Sequence, residues 1–122
     1  MDSERRKYVR FFADGNTFAA LRSGFKKVGR VDDISVRGLG FSYLSEATED
    51  NSTIHSQVDI FISGNGMHLS NVPCDVVYDI STSTPKEGVF VQMSRCGLHF
   101  GDLTESQLEK LEFLLKNHTK GL

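Results

Sequence analysis

Apolar and polar residues alternate along most of this chain, and the period is that of strands. Thr17-Phe18-Ala19-Ala20-Leu21-Arg22-Ser23 reads as a first strand, Phe25 to Ser35 as a second and Leu39 to Leu44 as a third. Glu46 to Thr53 is polar and predicts a loop. His55 to Ile62 alternates well, and Asn65-Gly66 is a hairpin signal leading into a long strand, Met67 to Ile80. Pro73 inside that strand predicts an edge or a bulge nearby, because proline cannot donate to a ladder. Ser81 to Lys86 predicts a turn, and two short strands, Val89–Met93 and Gly97–Phe100, close the β part. Short strands at this spacing predict a sandwich or barrel.

The period changes at the end. Thr104-Glu105-Ser106-Gln107 is a capping box, with Leu103 and Leu108 at staple positions. Leu108, Leu111, Leu114 and Leu115 form one helical stripe, expected to cover an open end or side of the barrel. Lys116, His118 and Lys120 complement the helix dipole, and Gly121 is expected to terminate the helix.

At 122 residues the chain is expected to be one domain: a flexible basic segment over 1–12, a barrel over 13–101 and a helix over 104–119. The N-terminus runs into charge rather than an apolar core, so no signal peptide is expected, and no apolar run is long enough for membrane insertion. Cys74 and Cys96 are far apart and form no C-x-x-C motif, which suits free thiols in a reducing cytoplasm. His55, His68, His99 and His118 lack metal-ligand spacing, so no metal is expected. No nucleophile elbow, P-loop or GxGxxG is present, and the chain is expected not to be an enzyme. Met67, Met93 and the phenylalanines read as core.

Charge narrows the partner. Residues 1–30 hold eight Lys/Arg against three acids, whereas residues 31–122 hold six against thirteen. The basic end calls for an anion, and the acidic remainder disfavours a long nucleic acid. Screening over roughly 8 Å lets a small anion use the basic end alone.

Two polar segments supply candidate chemistry. Arg6 and Arg10, in Arg6-Lys7-Tyr8-Val9-Arg10, fall on one side whether the segment is strand or helix. Each offers a planar fork for phosphate or for guanine O6 and N7. In Asp33-Ile34-Ser35-Val36-Arg37-Gly38, strand parity turns Ile34 and Val36 to the core and Asp33, Ser35 and Arg37 outward. A carboxylate beside a hydroxyl suits the N1–H and 2-amino donors of guanine. Taken singly, the first segment reads better as a solvated basic tail and the second as a plain turn.

In this order, the two segments resemble the signatures of the PilZ family, Arg-x-x-x-Arg and Asp-x-Ser-x-x-Gly. Gly38-Leu39-Gly40-Phe41, Gly97-Leu98-His99-Phe100 and the Leu-rich helix extend the resemblance over nearly the whole chain. It implies a mainly β fold, a six-stranded antiparallel barrel with a C-terminal helix, that binds cyclic di-GMP and needs no cofactor. It places the phosphate and guanine clamp on Arg6 and Arg10, and the guanine-edge readers on Asp33, Ser35 and Gly38. Arg37 is a possible added contact or simply an exposed arginine. Arg5 stands just before Arg-x-x-x-Arg, where an arginine in the family goes with two intercalated ligand molecules per protomer.

The resemblance further implies an adaptor that orders its arginine segment over the ligand and signals to a downstream protein; with the helix stripe spent on the barrel, a monomer is expected rather than a dimer. Motility, pilus assembly, exopolysaccharide in biofilms and virulence regulation are all compatible outputs. The alternatives are a PilZ-type interaction protein working without nucleotide and an oligonucleotide-binding barrel, for which Tyr8, Phe11 and Phe12 are the stacking candidates.

Overall fold

A computed structural model describes residues 10–22, 27–46, 55–64, 66–82 and 91–121. Among these residues the strands are β1 (Phe11–Ala13), β2 (Thr17–Leu21), β3 (Lys27–Ile34), β4 (Gly38–Glu46), β5 (His55–Ile62), β6 (His68–Ser81), β7 (Val91–Phe100) and β8 (Thr119–Gly121), and a helix, α1, spans Glu105–Asn117. The order β2-β5-β6-β7-β4-β3 closes on itself through an added β2–β3 pairing, so six antiparallel strands form a barrel. Closure leaves those strands without free edges. The far end of β3 pairs instead with β1, and β1 carries β8 outside the barrel.

Alternation explains the interior. Thr17, Ala19 and Leu21 of β2 point in, as do Val58, Ile60 and Ile62 of β5 and Leu39, Phe41 and Tyr43 of β4. Cys96, Leu98 and Phe100 of β7 join them. Burial pushes the thiols of Cys74 and Cys96 up to about 12, so both are neutral core groups. Met67 packs partly against this core, whereas Met93, Phe12 and Phe113 lie on the surface, contrary to the expectation that they fill it.

Helix α1 starts as its capping box predicts. The Thr104 hydroxyl accepts from the Gln107 N–H at 3.1 Å, and Gln107 Oε1 accepts from the Thr104 N–H at 2.9 Å. Gln107 Nε2 also donates to the Ser70 carbonyl at 2.9 Å, tying the helix start to β6. Leu111 and Leu114 are fully buried and Leu115 partly so, but Leu108 is exposed and lies off the buried face. The helix stops at Asn117 with His118 as C-cap, and Gly121 belongs to β8 rather than to a helix terminus. Likewise β1 begins inside the stretch assigned to the basic N-terminal segment.

Strand β7 is continuous, where the sequence reading divides it in two. The Asn65-Gly66 signal does mark a hairpin, closed by the Ile62 N–H donating to the Met67 carbonyl at 3.1 Å; Asn65 itself lies outside the described residues. Pro73 faces Gly101, just past the end of β7, so its missing N–H interrupts no ladder bond.

Among the described residues three register shifts interrupt the ladders. The shift in β5·β6 lies near Asn71, whose φ of 58° is left-handed. The other two matter for function. In β3, Val31 pairs with Phe41 and Asp33 with Gly40, leaving Asp32 as an extra residue. Val31 and Ile34 both point in, so Asp32 and Asp33 both reach the outer face. In β6, Val77 is the extra residue; Val76 faces Leu98 inside, Val77 and Tyr78 turn outward, and Asp79 turns in.

Candidate functional site

The two bulges set the ends of a row across the barrel's outer face. Asp33 of β3 pairs with Gly40 of β4, Gly40 with Gly97 of β7, and Gly97 with Tyr78 of β6. The two central positions carry no side chain, so the ends can lean over them. The Tyr78 ring lies directly on Gly97, where an added Cβ would sit 2.1 Å from Cε2. The Arg95 guanidinium and the Asp33 carboxylate meet over Gly40.

Asp33 is held from two sides. Arg10 Nη1 donates to Oδ1 at 2.7 Å, and Arg95 Nη2 donates to Oδ2 at 2.9 Å. Arg95 Nε also donates to the Tyr78 hydroxyl at 3.2 Å, anchoring this guanidinium at both ends of the row. Burial alone lowers the Arg95 pKa, but the Tyr78 hydrogen bond and the nearby Asp33 and Asp32 carboxylates outweigh it and raise it overall. The Ser42 hydroxyl donates to Asp32 at 2.6 Å, fixing the second bulge carboxylate beside the first. The four charges here, Asp32 and Asp33 against Arg10 and Arg95, balance formally. A dianionic ligand therefore needs further cations.

Ser35 does not share the outward row that parity predicts. Strand β3 ends at Ile34, and Ser35 to Gly38 turn the chain into β4, with the Ser35 N–H donating to the Gly38 carbonyl at 2.8 Å. Ser35 is buried, and its hydroxyl accepts from the Arg37 N–H at 3.1 Å. The motif is thus a turn whose side chain stabilises itself, as the alternative reading of that segment holds. Val36 is half-buried and Arg37 exposed, and the Arg37 carbonyl accepts from the Phe100 N–H at 2.7 Å. Gly38 approaches β7 so closely that a Cβ would sit 2.0 Å from the Leu98 carbonyl oxygen. Its glycine is required by packing whatever its part in binding.

The structure therefore brings together Arg10 and Asp33 and places the Ser35–Gly38 turn at the next step along the chain. Arg5 and Arg6 lie outside the described residues. Arg95, Tyr78 and Asp32 are missing from the sequence reading. The signal for the bulge was the pair Val31 and Ile34, two core-type residues three apart, which regular alternation cannot bury together. Arg95 carried no such signal, since only the barrel's closure sets it opposite Asp33.

Among the described residues no cluster of three or more His, Cys, Asp and Glu could hold a metal ion, and no helix is long and apolar enough to cross a membrane.

A PilZ domain profile matches residues 4–117. The fold is similar to the PilZ domain with c-di-GMP of YcgR from Escherichia coli, with a TM-score of 0.63 at 12% identity, covering 92% of this chain and 90% of that one. It is also similar to the crystal structure of YcgR in complex with c-di-GMP from Escherichia coli, with a TM-score of 0.65 at 15% identity, covering 92% of this chain but 45% of that one. At such identities the likeness speaks to the fold alone. No curated protein sequence matches significantly.

Proposed function

Because the chain belongs to the PilZ domain family, matching its profile over residues 4–117, we propose that it is a cyclic di-GMP receptor and not an enzyme. The observation that carries this reading is the Arg10–Asp33 contact at 2.7 Å, which joins one residue of each family signature on the barrel's outer face. Asp33 supplies carboxylate oxygens for the N1–H and 2-amino group of a guanine, with the Ser35 turn and Gly38 beside it. Arg10 leaves Asp33 and, with Arg6, takes phosphate oxygens and a guanine face. The exchange costs less than opening a buried pair, because both side chains keep solvent contact.

Arg5, Arg6 and Arg37 provide the cations that the balanced Asp32–Asp33–Arg10–Arg95 group lacks. Arg5 holds a second molecule, giving two ligands per protomer. Ordering of the N-terminal arginines over the ligand changes the shape and charge of that face, and a downstream protein reads the change. The chain then acts as a monomeric adaptor in the cytoplasm.

Titration calorimetry with cyclic di-GMP, GTP and a short single-stranded oligonucleotide tests the reading. Saturable heat with cyclic di-GMP alone supports it. Heat with none of them favours an interaction protein that works without nucleotide, and heat with the oligonucleotide alone favours a strand-binding barrel. An Arg5→Leu variant should lower the stoichiometry from two to one while keeping binding.

A further inference from the structure

We propose that Arg95 is the positioning residue that sets guanine selectivity at this site, by holding Asp33 from the side the ligand does not displace; this rests on the receptor reading above.

The two arginines on Asp33 differ in how they are attached. Arg10 reaches Oδ1 from just before the short β1 and makes one hydrogen bond there. Arg95 projects from the middle of β7, a strand paired on both sides within the closed barrel. Its guanidinium is fixed at two points, by Nη2 to Asp33 Oδ2 and by Nε to the Tyr78 hydroxyl. The Tyr78 ring that receives it is seated on Gly97, and the Asp33–Arg95 contact lies over Gly40. The whole unit is therefore built on barrel strands. When a ligand draws Arg10 away, Arg95 has no reason to follow.

Acceptor capacity shows what this arrangement provides. Each carboxylate oxygen can accept about two hydrogen bonds. With Arg95 on Oδ2 and Arg10 withdrawn, Oδ1 is fully open and Oδ2 keeps one lone pair. That is sufficient for two parallel donors, N1–H and the 2-amino group of guanine. It also requires the carboxylate plane to stay put, since rotation about its own bond would move one oxygen off the base edge. Adenine presents an acceptor at N1 and no 2-amino group. A carboxylate held in one orientation therefore rejects adenine by facing lone pair to lone pair. A carboxylate free to turn can avoid that clash and loses discrimination.

The test measures affinity for cyclic di-GMP and for its adenine counterpart, cyclic di-AMP, in wild type, Arg95→Met, Arg95→Lys and Tyr78→Phe, with thermal unfolding of each. A bidentate base contact discriminates by about ten-fold or more. Arg95→Met should lower cyclic di-GMP affinity by about ten-fold and compress the guanine-to-adenine preference by a similar factor. Arg95→Lys, which keeps the charge but has one point of attachment, should recover part of the affinity and little of the preference. Tyr78→Phe, which removes only the hydroxyl anchor, should show a milder loss of preference with unchanged unfolding temperature. If Arg95→Met and Tyr78→Phe both keep the wild-type affinity and preference, Arg95 has no positioning role and the proposal is overturned. A loss of affinity with the preference intact overturns it as well. Failure of the wild type to bind cyclic di-GMP overturns the receptor reading itself, a separate result.

Discussion

Two carboxylates in this barrel each meet a cation at 2.7 Å, and they have opposite uses. Asp79 points into the barrel and meets Lys27 Nζ; the two side chains are 5% and 4% exposed. The Tyr43 hydroxyl donates to its other oxygen at 2.5 Å, so both oxygens are satisfied inside. Asp33 points outward and meets Arg10, with side chains 19% and 33% exposed. Distance is the same; solvent is not. A buried pair cannot be opened without stranding a charge, so it is part of the fold. A partly solvated pair can trade its partner for a ligand at smaller cost than a buried one, so it is open to exchange. A one-residue bulge decides each placement, turning Asp33 out and Asp79 in.

The sharpest way to break this comparison is to remove the acid from each pair. Asp79→Ala leaves the Lys27 ammonium buried without a partner and should destabilise the protein by about 3–5 kcal/mol, read by urea unfolding. The fraction still folded should bind cyclic di-GMP with near wild-type affinity. Asp33→Ala takes the carboxylate from both Arg10 and Arg95 on a partly solvated face, so it should cost less than Asp79→Ala, about 1–3 kcal/mol, and abolish guanine recognition, read by unfolding and calorimetry on one preparation. If Asp33→Ala proved the more destabilising of the two, the division between structural and exchangeable pairs would be wrong.

The double variant Lys27→Met with Asp79→Leu sharpens the same point. Replacing both charges with apolar groups strands no charge but takes the acceptor from the Tyr43 hydroxyl, so stability should return to within about 1–3 kcal/mol of wild type. Recovery would show that the pair serves packing and not recognition.

A third pair gives the smallest effect. Arg22 Nη2 meets Asp59 at 2.9 Å, and the Asn71 N–H donates to Asp59 at 2.8 Å. Partial burial pushes the Asp59 pKa up, but the Asn71 hydrogen bond and Arg22 more than offset this, and it lies below the model-compound value of 3.8. The unfolded chain thus binds more protons than the native one in that range. The contribution is complete above about pH 4 and is lost as pH falls through the depressed native value. Asp59→Asn should therefore flatten the acid limb of the stability curve there by less than about 1 kcal/mol.

The strands and the capped helix were legible because alternation and capping are local signals; alternation left sandwich and barrel open, and the family resemblance chose the barrel. The fold's ends were less so: Thr119–Gly121 looks like a helix terminus, and only its pairing with Phe11–Ala13 makes it a strand. For the candidate site, the two motifs hold Arg10 and Asp33, whose side chains meet at 2.7 Å. Parity fails beyond Ile34 because the strand ends there and Ser35 sits in the turn to β4. The bulge at Val77 puts Tyr78 outside and Asp79 inside, where strict alternation continued from Val72, Cys74 and Val76 would do the reverse. Arg95 is distant in sequence from both motifs and becomes Asp33's neighbour through β4 and β7 alone.

The most direct measurement is calorimetry of wild type and Arg10→Ala with cyclic di-GMP, taken with the unfolding free energy of each. Charged hydrogen bonds contribute about 1.5–3 kcal/mol each, so losing an arginine that holds phosphate and base together should cost several kcal/mol of binding. The loss of its Asp33 pair should shift stability by no more than about 1 kcal/mol. Binding of two ligands by the wild type, with that large loss in Arg10→Ala, is the result expected. Equal affinity in the two proteins would contradict an exchangeable Arg10, and with it the outward carboxylate as the ligand's site.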